Sequence, residues 1–245
     1  MGNVSNIFTH SQLKLEIIMR LGSTTTLGRG VAAAASVSTT ERLVFIKKVY
    51  SLLALSMLTA AVGAYLGSGP LFLLVAPNMM LFFILQIGLI FFASFAARKP
   101  GLNIIALFSF TTVSGLTLGP LLARVGPTIA AEAFALTAIT FVCLSLYVVY
   151  SKKDFSFMSG FLMTGLIVLV VGGLLNMFFI QSGMMHFVMS GASVLLFSGF
   201  ILYDTSNILR YYGTDEHVSA TLALYLDVLN LFIALLSILG IMSDD

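Results

Sequence analysis

The chain has 245 residues, of which 59% are hydrophobic and only 9% charged, a balance that excludes an ordinary soluble domain and identifies a polytopic membrane protein. Its net charge of +2 implies no nucleic-acid partner, because in a membrane protein the place of each basic residue relative to the spans is what matters. The single cysteine, Cys143, excludes a disulfide framework or a cysteine metal site within one chain, and its apolar surroundings predict a small buried packing residue.

Residues 1–45 read as a flexible cytoplasmic tail and 46–245 as the transmembrane domain. The first 48 residues hold Lys14, Arg20, Arg29, Arg42, Lys47 and Lys48 but no apolar core followed by a small-residue cleavage site. A secretory signal is therefore not expected, and the first span itself directs insertion. The start MGNVSN has Asn6 where the myristoylation pattern wants serine or threonine. A periodic patch at 13–20 predicts a surface helix, and the small, polar run at 22–40 predicts a linker.

Crossing a bilayer takes roughly twenty apolar residues in a helix. Seven runs qualify, at about 49–67, 77–97, 102–122, 128–150, 158–180, 186–207 and 220–240. Their joints are short and marked by glycine, proline or charge, at 67–70, 98–101, 124–127 and 151–154. No internal repeat is evident, which disfavours a transporter built from inverted halves. With the N-terminus cytoplasmic, eleven of the twelve lysines and arginines fall in inner segments and only Arg124 falls outside, so an odd span count puts the C-terminus outside. There is no tryptophan, and Tyr50, Tyr65, Tyr150, Tyr211 and Tyr212 take the interfacial positions. Small residues predict close helix contacts along Ser56, Ala60 and Ala64, along Gly115 and Gly119, and along Gly165 and Gly172.

Two carboxylates lie inside apolar runs, Asp204 in the sixth span and Asp227 in the seventh. If the chain leaves the membrane near Tyr211 and re-enters near Ala220, each lies about 10 Å deep at 1.5 Å per residue. In the seventh span Ala220, Ala223, Asp227, Asn230, Ala234 and Ser237 recur at alternating spacings of three and four, a small-and-polar stripe that points into protein. Ser190, Ser193, Asp204 and Asn207 form a weaker version, interrupted by Phe197, in the sixth. An acid facing lipid costs several kcal/mol, so both predict function. Two carboxylates at bonding distance in a low dielectric cannot both ionise cheaply and share one proton. Protonated, such a pair ties the two spans together; deprotonated, it repels and offers an acidic mouth to a hard cation such as Ca²⁺. The alternative reading places Asp204 at headgroup level, capping a turn with Thr205 and Ser206.

Glu132, about one turn into the fourth span, is either a favourable first-turn acid or an outer cation site on a path to the aspartates. Asn230 lies on the stripe of Asp227 and lines the same path. Arg98 is a positive-inside residue or a counter-ion that swings to a carboxylate. No histidine cluster or glycine-rich phosphate motif points to a metal centre or cofactor, and none is expected. Tyr203-Asp204 with a second aspartate in the next span resembles the intramembrane aspartyl proteases. Their second motif is Gly-x-Gly-Asp, however, and Leu224-Tyr225-Leu226-Asp227 lacks both glycines, so no enzyme is expected.

Taken together, Gly115-Leu116-Thr117-Leu118-Gly119-Pro120, Glu132-Ala133-Phe134, Lys153-Asp154-Phe155-Ser156-Phe157, Tyr203-Asp204, Leu224-Tyr225-Leu226-Asp227 and Asn230-Leu231-Phe232 resemble, in this order, the transmembrane BAX inhibitor motif family and its bacterial YccA-like branch. The resemblance covers about residues 42–245. It implies an all-α membrane protein of the bacterial inner membrane, a seven-transmembrane-helix bundle whose last helix is enclosed by the other six. It also implies a pH-regulated calcium leak with Asp204 and Asp227 as the paired aspartates, the lipid bilayer and Ca²⁺ or other cations being the partners. Two departures bear on this. Some calcium-conducting members carry a glutamate where this chain has Gln86 and an arginine that aligns between Ala97 and Arg98. Some YccA-like relatives lack one or both aspartates, and for them the implied role is that of a partner or modulator of a membrane-bound ATP-dependent protease.

Overall fold

A computed structural model describes residues 38–97 and 99–243, and among these residues regular structure is helical throughout. Seven helices are long and apolar enough to cross a membrane: α1 (Thr39–Ser68), α2 (Phe72–Ala96), α3 (Leu102–Val125), α4 (Pro127–Ser151), α5 (Ser156–Ile180), α6 (Gly183–Arg210) and α7 (His217–Ser243). The predicted tail up to residue 37, and Arg98, lie outside the described residues.

Helix α1 starts ten residues ahead of its predicted span because a capping box, not hydropathy, sets its first turn. The Ser38 side chain accepts from the backbone N–H of Glu41 at 3.3 Å while the Glu41 carboxylate accepts from the backbone N–H of Ser38 at 3.0 Å. Thirty residues make a helix of about 45 Å, longer than the roughly 30 Å hydrocarbon layer, so the turns bearing Glu41, Lys47 and Lys48 extend beyond it. Helix α2 likewise gains an early turn, joined to the rest through a 3₁₀ segment at Ala76–Asn78 that contains Pro77. Helix α5 opens on a 3₁₀ turn at Ser156–Met158 and closes on a π turn at Asn176–Ile180. There the Asn176 side chain accepts from the Ser182 N–H at 3.0 Å and donates to the Ser182 carbonyl at 3.3 Å.

The chain forms two compact units, one of residues 38–124 with Ile208–Tyr225 and one of Val125–Asn207 with 226–243. In the first, α1 and α3 meet backbone to backbone. A Cβ on Gly115 would fall on the carbonyl of Ala60, one on Gly63 on the backbone of Thr112 and Leu116, and one on Gly119 on the backbone of Gly67 and Ser68. Gly115 and Gly119 therefore form the predicted seam. They meet Ala60 and Gly67, and Gly63 meets Thr112 and Leu116, so the contact line runs along two glycines of α1 that the expected Ser56, Ala60 and Ala64 line did not include. In the second unit, Leu162, Leu166, Leu169 and Val170 of α5 pack with Leu196, Phe197, Phe200, Ile201 and Tyr203 of α6 and with Leu231 of α7. Gly165 admits Leu196, and Gly172 admits Met189.

Burial is uneven. The apolar windows of α7 and α3 are 72% and 61% buried, whereas α4 is 22% buried. The expectation that Cys143 is a buried packing residue is corrected accordingly: it lies on the exposed surface of α4. A thiol suits lipid as well as it suits a protein core, and its apolar neighbours could not distinguish the two.

Candidate functional site

The inner half of α6 is where polar atoms concentrate. Tyr203, Asp204, Thr205, Ser206, Asn207 and Ile208 are all buried, and six consecutive residues at 3.6 per turn leave no outward face at that level. In α7 every member of the predicted stripe is buried: Ala220, Ala223, Asp227, Asn230, Ala234 and Ser237. So are Thr221, Leu222, Leu224, Tyr225 and Leu226, which makes 220–227 interior all round, while Val228, Phe232 and Leu235 beyond it are partly exposed on one side. Asp204 is 2% exposed and Asp227 0%, and Oδ2 of each is sealed from solvent. Both carboxylates are thus shielded from bulk water. Counted from the helix ends, Asp204 lies six residues from Arg210, about 9 Å along α6, and Asp227 lies ten residues from His217, about 15 Å along α7.

Ser206, on the same buried stretch, holds the loop between α4 and α5. Its Oγ accepts from the Phe155 backbone N–H at 3.1 Å and donates to Oδ1 of Asp154 at 3.3 Å. The same carboxylate oxygen accepts from the Ser156 N–H at 2.9 Å, an Asx turn that starts α5. The Lys153-Asp154-Phe155-Ser156-Phe157 motif therefore shapes a loop and pins it to α6, two residues from Asp204. The Asx turn was visible in Asp154-x-Ser156; the partnership with Ser206 across fifty residues had no local signal.

Two further polar contacts belong to the other unit. Arg42 reaches from α1 to the C-terminal end of α6, where its Nη1 donates to the carbonyl of Tyr212 at 2.6 Å and to that of Ile208 at 3.4 Å. A cation at these carbonyls complements the helix dipole. Tyr225, fully buried, bonds the Ser114 hydroxyl and reaches the Thr111 carbonyl at 3.4 Å, with its ring edge-on to Phe110 at 5.8 Å. One turn earlier the Thr221 hydroxyl donates to the His217 carbonyl at 2.7 Å and lies 3.3 Å from the Val49 carbonyl, and Thr59 pairs with Thr111 hydroxyl to hydroxyl at 2.6 Å.

Of the remaining predicted residues, Asn230 is buried one turn beyond Asp227, and Gln86 is buried in α2. Glu132 is exposed on α4 beside exposed Phe134 and does not belong to the buried polar set. Arg98 lies outside the described residues. Among the described residues no three of histidine, cysteine, aspartate and glutamate are grouped to hold a metal.

Comparison with known proteins places the chain. It is 41% identical over 209 residues to an uncharacterized membrane protein of Vibrio cholerae, spanning 82% of this chain and 90% of that one. It is 37% identical over 205 residues to the Escherichia coli protein named Modulator of FtsH protease YccA, covering 82% and 91% respectively. A Golgi anti-apoptotic protein of vaccinia virus is 35% identical over 215 residues, covering 86% and 90%. The family model described as Inhibitor of apoptosis-promoting Bax1 matches residues 42–244, from the arginine that caps α6 to the end of α7. This seven-helix membrane protein belongs to the Bax inhibitor family.

Proposed function

We propose that the protein leaks cations, Ca²⁺ foremost, down their gradient across a bacterial inner membrane, with the N-terminus in the cytoplasm and Asp204 and Asp227 as a proton-sharing gate. The observation that carries this reading is the burial of both carboxylates, 2% and 0% exposed, in stretches of α6 and α7 that have no lipid-facing side. A chain with so few charges places two of them where each is most costly, which is the mark of an intramembrane ion or proton site. Carboxylate and amide oxygens suit a hard cation, and Asn230 supplies such an oxygen one turn from Asp227. In this reading Glu132, exposed on α4, gathers cations at the outer side, and Arg98 is the counter-ion that competes with the cation at the inner side. Protonation closes the pair and deprotonation opens it, so the leak rises with pH.

Purified protein in liposomes loaded with a calcium indicator tests the proposal. The expected result is a Ca²⁺ flux above that of empty vesicles which increases from acid to neutral pH. Asp204→Asn and Asp227→Asn mimic the protonated state at one position and should flatten that dependence. Flux equal to that of protein-free vesicles at every pH would refute the leak.

A second reading has its own support. The Escherichia coli relative, 91% of whose length is matched, is named for modulation of the FtsH protease. In that reading the chain is a non-conducting partner of a membrane-bound ATP-dependent protease, held through residues 1–37. Capture of the protease by the full chain, its loss on removing those residues, and the absence of flux would together select this function.

A further inference from the structure

Helix α7 raises a problem that its apolar residues do not solve. Leu222, Leu226, Leu229 and Ile233 are buried on one side of the axis, and Leu224 and Leu231 are buried on the opposite side. Leucine and isoleucine in similar volumes exchange at small cost, so packing of these two sides tolerates a turn of about 20°. An aspartate on this helix, by contrast, works at one rotation only. A side chain extends about 5–6 Å from the helix axis, so a turn of 20° carries a carboxylate through about 2 Å, enough to break a hydrogen bond.

Directional bonds fix the rotation, and they lie on one face. Thr221 and Tyr225 are four residues apart and share a side of α7. The Thr221 hydroxyl, bonded at 2.7 Å to the His217 carbonyl of its own helix, also lies 3.3 Å from the Val49 carbonyl of α1, and Tyr225 bonds Ser114 and reaches the Thr111 carbonyl of α3. The surface that receives them is itself rigid. Helices α1 and α3 touch through Ala60, Gly63, Gly67, Gly115 and Gly119 and are bridged by the Thr59–Thr111 pair. Two residues of helix subtend about 200°, so pinning Tyr225 to α3 turns Asp227 to nearly the opposite side.

We infer that Tyr225 is a positioning residue for Asp227: its hydroxyl, held by Ser114 and Thr111, sets the rotation of α7 and thereby the direction of the gating carboxylate. This deepens the proposed function and rests on Asp227 acting in the leak. It also gives the Leu-Tyr-Leu-Asp motif a physical reason, a register pin and a functional acid on opposite sides of one helix. The glycine run of α3 then serves as the base to which the pin is fixed.

The test uses Tyr225→Phe, which keeps the ring and its edge contact with Phe110, together with Ser114→Ala and the double variant. Each is reconstituted in liposomes, in a Cys143→Ala background that carries a nitroxide at Val228→Cys on the partly exposed side of α7. The expected result is that each single variant mobilises the label and changes the Ca²⁺ leak severalfold, that the double variant does no more, and that Tyr225→Phe has no further effect on the leak in Asp227→Asn. An unchanged label, or a mobilised label with an unchanged leak, overturns the inference. If the unsubstituted protein does not leak at all, the proposed function falls, and the label alone decides whether Tyr225 sets the rotation.

Discussion

Gly115→Ala should damage this protein far more than a single methyl suggests. The added Cβ would fall on the carbonyl oxygen of Ala60, backbone against backbone, where no side chain can turn aside. Helices α1 and α3 must then part by about 1 Å or more, and a gap of that size forfeits a quarter to a half of the dispersion attraction along their contact. Overpacking of this kind costs about 1–3 kcal/mol, and parting the helices also strains the 2.6 Å Thr59–Thr111 bond, worth about 0.6 kcal/mol inside a membrane. Against this, alanine in a helix gains about 0.5–1 kcal/mol over glycine. The net loss is about 1–3 kcal/mol, which at about 2–4 °C per kcal/mol lowers Tm by roughly 2–12 °C. Gly88→Ala is the control, because a Cβ there meets nothing within 4 Å, so only the propensity gain remains and Tm should rise by a few degrees. Thermal unfolding of both in the same detergent, followed by loss of the monodisperse peak, gives the comparison. If Gly115→Ala proves as stable as Gly88→Ala, the close approach of α1 to α3 is wrong.

Three further outcomes follow from individual contacts. Ser206→Ala removes the acceptor of the buried Phe155 N–H and should cost about 1–3 kcal/mol in the same melting assay, whereas Asp154→Asn, which keeps an oxygen for Ser206 and Ser156 at an exposed position, should cost less than half as much. Arg42→Ala uncaps the end of α6 and should speed hydrogen exchange in the 211–216 loop while lowering Tm by a few degrees, and Arg42→Lys should recover part of the loss through its single point charge. Cys143→Leu, on the exposed surface of α4, should shift Tm by no more than about 2 °C, where a buried cysteine would report overpacking.

The number of spans and most of their limits were legible because a bilayer imposes a length on apolar runs, and that constraint is written along the chain. The stripe from Ala220 to Ser237 was legible for a related reason: small and polar residues at helical spacing are out of place in lipid, and all six are buried. What stayed hidden depended on the choice between lipid and protein as surroundings. Cys143 and the leucines of α7 are apolar and suit both, so pattern alone misplaced the first and did not reveal that Leu222, Leu224, Leu226, Leu229 and Leu231 are buried. From Ala60 the close contact continues to Gly63 and Gly67, yet Ala64 follows Ala60 at an equally helical spacing, and only the partner helix selects between them. The start of α1 was hidden for a different reason, since hydropathy locates the membrane and Ser38 with Glu41 locates the helix.

This division between what lipid decides and what it leaves open explains where the polar atoms of the protein sit. A bilayer sorts residues by polarity and sets helix length, but it exerts little preference on how one apolar helix is rotated against another. Rotation must come from features with direction: glycines that admit a carbonyl at one angle only, hydroxyls that find one acceptor, a guanidinium that caps one helix end. In this chain they recur wherever the position of α6 or α7 must be fixed, at Arg42 on the end of α6, at Ser206 beside Asp204, and at Thr221 and Tyr225 ahead of Asp227. Each carboxylate is flanked within six residues by such a contact. An acid in a membrane is costly wherever it points, so a fold that keeps one must also keep the bonds that aim it.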